Sequence, residues 1–432
     1  METSQTSESK QTRDVSGAPV KIDVSFVSGD AFDEDCHARM KWLRDNEPVF
    51  WSEVDKIWVV TRYDDVQYVS KHQELFTSAK GVRPGNVVKF GLIDEDEPRH
   101  MNLRKLINKG FSPRMVRRLE QEFEKHVKRT LDKVASTGAC NFVDDIAVPL
   151  PLLMIGDMLG IESKDFERFH GWSDAMIAAE GNLEDEEVMG KAAVAFMEYS
   201  AHLQAIIADR KATPQDDLIS ILSGADASGI LGTLDSDVDS LAGNKGAEHE
   251  ALVTNELMML LVVLMVAGNE TTRNAISGGM QLLIENPEAR KRLVEDPSLI
   301  PAAIEEMLRL TSPVRSFSRT VVEDVEFGGK KMKKDDVVLI VYGSANRDSR
   351  EFDSPETFDI DRNPTHLAFG IGAHFCLGAS LARMEMRMTF TELLRRLPDM
   401  EYAEDGPTLE TNPLVRTCSK MLVKYSPEKA AS

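Results

Sequence analysis

The sequence predicts a mainly helical chain with small β-sheets (α+β), arranged as one large domain. Three observations carry that expectation. Helical patterning runs from Glu97 to Asp217, broken only near Ser112-Pro113, Ser136-Thr-Gly and Gly160. A long helix, roughly Glu250 to Ile284, starts polar and becomes continuously apolar from Leu257 to Ala267. Strand signals are short and confined to two places, Pro48 to Arg62 and Val321 to Val341. The 432 residues are long enough for one large domain or two to three ordinary ones, and no internal repeat is evident.

Taken in order, residues 1–20 are polar, lack the apolar run of a signal peptide, and read as a disordered lead-in to a folded domain over 21–432. Pro48-Val-Phe-Trp-Ser-Glu and Ile57-Trp-Val-Val-Thr-Arg form a β-hairpin pattern, and Asp64 to His72 is helical. Thr77 to Ile93 contains Gly and Pro without periodicity, a loop length usually kept for function. Residues 226–250, rich in Gly, Ser and Asp, read as a flexible insertion. Ala302 to Thr311 is helical. The strands of Val321 to Val341 turn at Gly328-Gly329 and Asp335-Asp336. Arg347 to Thr365 is a meander. Gly378 to Leu397 is a helix with Leu381, Met384, Met388 and Leu394 as its apolar positions.

Lys plus Arg number 51 against 72 Asp plus Glu, a net charge of −21 that disfavours nucleic acid and anionic membranes as partners. The eleven apolar residues from Leu257 to Ala267 are too few to span a bilayer. Cys36, Cys140, Cys376 and Cys418 are far apart with no CxxC pair, so neither a disulfide framework nor a zinc site is expected, and a reducing cytoplasm fits.

The chemistry concentrates at Phe369-Gly-Ile-Gly-Ala-His-Phe-Cys376-Leu-Gly378. A thiol just before an amphipathic helix is favoured as thiolate by the helix dipole and free N–H groups. Glycines around it admit other backbone or a flat cofactor. Such a thiolate is a metal ligand or a nucleophile. On the long helix, Gly268 costs about 1 kcal/mol against Ala, and Asn269, Glu270 and Thr271 need partners if buried. A π-bulge, a helix end at Gly268, or an acid–alcohol proton relay facing a buried reaction centre each answers that need. Glu306 and Arg309 stand three apart on a helix, which at a surface contributes little. His100 and Arg104 share one helix face, where two cations suit paired carboxylates.

The pattern Phe-x-x-Gly-x-His-x-Cys-x-Gly resembles the haem-ligand loop of the cytochrome P450 family, and Ala267-Gly-Asn-Glu-Thr-Thr resembles that family's oxygen-activation motif. The resemblance covers roughly Pro48 to Leu397, with Glu-x-x-Arg in the family's order about seventy residues before Cys376. It implies the cytochrome P450 fold, with haem b (iron protoporphyrin IX) between the long central helix and the cysteine loop. It implies Cys376 as iron ligand, Glu270 and Thr271 as the catalytic relay, and His100, Arg104, Arg319 and His374 on the haem propionates. Gly268 and Phe369 are expected beside the cofactor. Glu306, Arg309 and Arg362 are expected to hold the meander, although Thr357 stands where some members carry the last arginine. The insertion at 226–250 looks longer than in typical bacterial members.

The activity so implied is a haem-thiolate monooxygenase using O2 and electrons from ferredoxin and ferredoxin reductase, since no flavin or nicotinamide fingerprint appears. Arg99, Lys105, Lys109, Arg114, Arg117 and Arg118 are either an ordinary solvated helix face or the dock for an acidic ferredoxin. Family position assigns Val88, Phe90, Trp172, Met176, Met259, Val263, Ala267, Val314 and Phe317 to the substrate pocket. Their apolar character favours a hydrophobic small molecule, sterol, fatty acid or terpenoid-like. Ile304-Glu-Glu-Met-Leu-Arg, Ser344-Ala-Asn-Arg-Asp and His366-Leu-Ala-Phe-Gly are similar to actinobacterial sterol- and lipid-oxidising members. A monomer is expected. A peroxide-driven peroxygenase, a haem-binding sensor and a haem-free cysteine nucleophile stand as the other readings.

Overall fold

The computed structural model describes residues 17–84, 91–108, 113–161, 165–180, 182, 184–215, 217–227 and 247–428. Its helices are α1 (Cys36–Asn46), α2 (Tyr63–Lys71), α3 (Arg99–Asn108), α4 (Pro113–Val134), α5 (Pro149–Leu159), α6 (Phe166–Ala178), α7 (Glu186–Ala212), α8 (Leu218–Ala227), α9 (Ala247–Glu285), α10 (Pro287–Glu295), α11 (Ile300–Thr311), α12 (Tyr342–Ala345) and α13 (Ala379–Arg396). Its strands are β1 (Val49–Ser52), β2 (Ile57–Val60), β3 (Phe76–Thr77), β4 (Ala139–Asn141), β5 (Ser316–Val321), β6 (Val325–Phe327), β7 (Lys330–Met332), β8 (Val337–Val341), β9 (Glu401–Tyr402), β10 (Thr408–Glu410), β11 (Thr417–Lys420) and β12 (Leu422–Lys424).

Alternating Val, Phe and Trp make the first hairpin, with Val49 opposite Val60 and Trp51 opposite Trp58. Strands from far along the chain complete its sheet, in the order β1-β2-β8-β5-β3. Strand β8 joins β2 in parallel and β5 antiparallel, placing Arg319 opposite Val338. The main core lies among α4, α5, α9, α11 and α13, where Phe123, Ile155, Leu261, Met265, Met307 and Phe390 are buried together.

Helix α9 runs unbroken through 39 residues, so neither a π-bulge nor a helix end occurs at Gly268. Two of its polar side chains, Thr271 and Asn274, find partners on the helix itself, whereas Asn269 and Glu270 reach Ser173 of α6. Thr271 Oγ1 donates to the Ala267 carbonyl at 2.7 Å, and Asn274 Nδ2 to the Glu270 carbonyl at 2.8 Å. A π-helical stretch lies instead at Val143–Ala147. Gly268 serves helix packing: a Cβ there would sit 3.1 Å from Ile155 Cδ1 on α5.

The expected boundaries shift in two places. Ala18 and Val20 pack against the cluster of Ile22, Phe26 and Phe32, so the lead-in is shorter than 1–20. Of the 226–250 insertion, 228–246 lie outside the described residues, and its ends belong to α8 and α9 because Ala and Glu there favour helix.

The meander is held from below by a fully buried ion pair. Glu306 and Arg309 are both 0% exposed and meet in two hydrogen bonds of 2.7 Å. Arg309 also donates to the carbonyls of Asn346, Pro355 and Thr357 at 2.7, 2.8 and 3.3 Å. Arg362 Nε reaches Glu306 Oε1 at 3.0 Å, and Thr357 contributes only its backbone. Removing one partner of such a pair leaves an uncompensated buried charge. Arg309→Met is expected to lower stability by about 3–5 kcal/mol, read as a fall in the denaturant midpoint.

Candidate functional site

The cysteine loop turns back on itself before α13. Gly370 and Gly372 hold φ of 66° and 77°, in the left-handed region that favours glycine. These turns let the Cys376 amide donate to the Phe369 carbonyl at 2.8 Å. The Gly378 and Ala379 amides hydrogen-bond the sulfur, and Arg104 and Arg383 lie close enough to favour the thiolate. Burial outweighs them and pushes the thiol up. The amides favour the thiolate, as a helix start does, while desolvation opposes it. A metal bound here would complete the ionisation, since a coordinating thiol is deprotonated outright. Among the described residues no three His, Cys, Asp or Glu side chains converge on a metal site, so an iron at Cys376 would draw its other donors from a cofactor.

Phe369 lies 6.3 Å from Phe375, and Arg383 Cζ stands 4.5 Å over the Phe369 ring. Arg383 is held by two 2.7 Å hydrogen bonds to Glu305, which also meets His366 at 3.2 Å. Burial opposes ionisation of Glu305, but the hydrogen bonds from Arg383 and His366 hold it down at about 2. Sequence reasoning passed over Glu305. Its adjacency to Glu306 was visible, but its partner 78 residues away was not.

Beside the loop, two arginines and two histidines from three elements converge. His100 and Arg104 come from α3, Arg319 from β5, and His374 from the loop. The His100 and His374 rings stand 4.3 Å apart, and Arg104 Nη1 donates to the Ala373 carbonyl at 3.3 Å. Arg319 is buried, donates to its neighbour Ser318's carbonyl at 2.7 Å, and borders the Tyr342 hydroxyl. Burial, with Arg319, His100 and Arg104 nearby, pushes His374 down to about 3. Its buried Nε2 has no hydrogen-bond partner among the described residues. An orphaned ring nitrogen beside two guanidinium groups fits a ligand bearing paired carboxylates, as haem does. Glu97 takes part only at the edge, 3.1 Å from His100 Nδ1.

On α9, Ala267 is exposed although the flanking Met265, Asn269 and Glu270 are buried, and Val263 and Thr271, one turn either side, are half-buried. This apolar stripe with one hydroxyl is the face that α9 leaves open. Glu270 does not share it. Successive helical residues point about 100° apart, and Glu270 turns toward α6. There its Oε1 accepts from Ser173 Oγ at 3.1 Å and Asn269 Nδ2 at 3.3 Å, and its Oε2 lies 2.8 Å from Arg273 Nη2. Burial raises Glu270 to about 7, with Arg273 opposing and Asp174 reinforcing the rise. The acid and the alcohol expected to face one centre are thus on different faces of one helix. At Gly268 α5 comes close to α9, so that an added Cβ would sit 3.1 Å from Ile155 Cδ1.

Of the other pocket candidates, Met176, Met259, Val314 and Phe317 are half-buried, and Phe317 stacks edge-on to Tyr342 at 6.1 Å. Trp172 is core: it is 4% exposed, packs on Phe169 and Tyr199, and donates to Glu198 at 2.8 Å. Val88 and Phe90 lie outside the described residues. In the basic group, Lys105 and Arg117 are exposed, whereas Arg99 is paired with Glu95 and Glu256. Lys109 and the Arg114 side chain lie outside the described residues. Among the described residues no helix is long and apolar enough to cross a membrane.

The cytochrome P450 family model matches residues 31–424. The steroid C26-monooxygenase of Mycobacterium tuberculosis is 36% identical over 409 residues, covering 94% of this chain and 98% of that protein. A methyl-branched lipid omega-hydroxylase of the same organism is 37% identical over 367 residues, covering 82% of this chain and 80% of that protein. CYP109E1 from Bacillus megaterium, solved in complex with testosterone, superposes with a TM-score of 0.75 at 32% identity, over 90% of this chain and 99% of that one. CalO2 superposes at 0.80 with 26% identity, over 95% and 99%. The helical frame, the cysteine loop, the cations beside it and these matches agree along nearly the whole length, and the chain belongs to the cytochrome P450 family of haem-binding monooxygenases.

Proposed function

We propose that this chain hydroxylates a hydrophobic small molecule of sterol or lipid type, with O2 and with electrons from ferredoxin and ferredoxin reductase in the cytoplasm. The observation that carries this reading is the open apolar stripe of Val263, Ala267 and Thr271 on an otherwise buried helix. The named activities of the relatives, steroid C26-monooxygenase and methyl-branched lipid omega-hydroxylase, support the substrate class. Four free cysteines suit a reducing compartment.

When bound, haem supplies dioxygen activation and insertion of one oxygen atom into a C–H bond, with thiolate ligation favouring O–O cleavage. Cys376 Sγ is the protein ligand, steadied by the Gly378 and Ala379 amides. Arg104 and Arg319 would neutralise the two propionates, with His100 and His374 beside them as hydrogen-bonding rings, and the Arg383–Phe369 contact stiffens the loop. Thr271 sits on the open face, where its hydroxyl would hold a proton beside the bound cofactor. Glu270, raised to about 7 by burial, holds a proton behind it. Met176, Val263, Ala267, Val314 and Phe317 exclude water and seat an apolar substrate. Electrons arrive across the face carrying Lys105, Arg117 and Arg118, steered by opposite charge.

A spectral-shift screen of the ferric protein with sterols and methyl-branched fatty acids tests the substrate class. Low-spin to high-spin conversion is expected for members of these sets, and none for polar compounds of equal size. Cys376→Ser is expected to lose the thiolate-type carbon monoxide difference band, recorded on the reduced protein. Arg117→Glu with Arg118→Glu is expected to slow reduction by ferredoxin about tenfold or more at low salt and to flatten its salt dependence, followed by stopped flow.

A further inference from the structure

We propose that Arg83 recognises the carboxylate of an acid-ended substrate: a long apolar molecule lies with its body inward and its acid at the Arg83 guanidinium, in the place that Glu180 holds in the free protein. The inference rests on the monooxygenase reading above and narrows its sterol or lipid to one that ends in a carboxylate.

The two side chains meet across a cleft. Val82, Arg83 and Pro84 form one wall, Glu180 just beyond α6 forms another, and Phe26, Pro413 and Leu414 are among the apolar residues that complete it. Among the described residues lining the cleft, Arg83 and Glu180 are the only charged ones, and they form an ion pair. Their side chains are 15% and 16% exposed, so both charges have given up most of their hydration and hold it only against each other. Burial pushes the Arg83 guanidinium down to about 10, with Asp94 opposing. Asp94 is itself engaged by the Val82 amide at 2.9 Å.

Each wall of the cleft leads to a residue assigned to the substrate pocket. On β5, Ser316 lines the cleft and Phe317 follows it. The Val82 carbonyl accepts from the Ser318 amide at 2.6 Å, beside Arg319. Three residues of strand, about 10 Å, separate Ser316 from Arg319. Met176 stands four residues before Glu180, and Leu414 precedes Val415, which is bridged to Val314. The cleft is thus the outer end of the apolar pocket, and a molecule held at Arg83 by one end has the pocket for its body.

Glu180 is the partner that yields. It lies two residues past the end of α6, where the negative end of the helix dipole disfavours a carboxylate. Arg83 is the fixed member. Val82 before it is tied through both its amide and its carbonyl, and Pro84 after it holds the backbone extended. An incoming carboxylate restores the ion pair on Arg83 and frees Glu180 to water, so little is lost in the exchange. A neutral end would leave the half-buried cation alone if it displaced Glu180, and an ammonium end would meet a like charge.

The test uses the ferric holoprotein. Phytanic acid and lithocholic acid are each compared with their methyl ester and with the amine that carries an ammonium in place of the carboxylate. Binding is measured by calorimetry, and the spin shift is recorded on the same samples. At least one acid is expected to bind about tenfold or more tighter than its ester, with the amine weakest. Arg83→Met is expected to remove that preference and leave the ester's affinity unchanged. Glu180→Gln is expected to tighten the acid several-fold, because the competing carboxylate is gone. A purely structural ion pair gives no such gain. Equal affinity for acid and ester in the unmodified protein, an acid preference that survives Arg83→Met, or no gain in Glu180→Gln overturns the assignment. An amine that binds tightest overturns it too, and makes Glu180 the recognising group. Arg83-dependent binding of an acid without any spin shift overturns the monooxygenase reading of these substrates instead and leaves the carboxylate site standing. No binding by any of these compounds overturns both.

Discussion

The position of the cysteine loop depends on one desolvated ion pair. Glu306 and Arg309 are wholly buried, a costly arrangement unless every donor and acceptor is used. Here they are: Glu306 also accepts from Arg362 and the Asp359 amide, and Arg309 spends its remaining N–H groups on three meander carbonyls. The pair thereby orders residues 346–362, a stretch with almost no regular structure of its own. From there Asn346 carries the constraint onward, donating to Ser312 at 2.8 Å and accepting from the Leu367 amide at 2.7 Å, just before the loop turns. The next carboxylate on the same helix, Glu305, grips Arg383 of α13 on the loop's other side. Two consecutive glutamates on α11 thus fix both approaches to Cys376.

Charge is divided across the site. The loop side collects His100, Arg104, Arg319 and His374, within a chain of net charge −21. The α9 side holds a buried carboxyl. The two sides respond to pH in opposite directions. Glu305 is held below its ordinary value, so its stabilisation is present above the usual carboxylate range and is lost as pH falls toward about 2. Glu270 is held above its ordinary value, so the fold favours its protonated form. That preference is complete below 4.5 and is lost as pH rises through about 7. A carboxyl that changes charge near neutrality is suited to moving protons more than to holding structure.

Much of the site was legible because its chemistry is local. A glycine-rich turn before a helix, an acid beside an alcohol, and Glu-x-x-Arg one turn apart are sequence-adjacent patterns, and each is found in the secondary structure expected for it. The direction of the side chains was less legible. Asn269, Glu270 and Thr271 were correctly singled out as polar residues in an apolar helix, yet only α6 decides that Glu270 turns to Ser173 while Thr271 stays on the open face. How closely Ile155 of α5 approaches Gly268 is likewise a matter of packing. Trp172 read as pocket and belongs to the α6–α7 core.

By itself the sequence determined the helical class, the family, the thiol and the polar triplet of the long helix, because composition, periodicity and short motifs are properties of neighbouring residues. The tertiary structure decided what those residues face. The parallel pairing of β2 with β8, the grip of Glu305 on Arg383 and the hydrogen bond of Ser173 to Glu270 join positions 78 to 280 residues apart. Such contacts depend on how whole elements pack, and no local pattern records them.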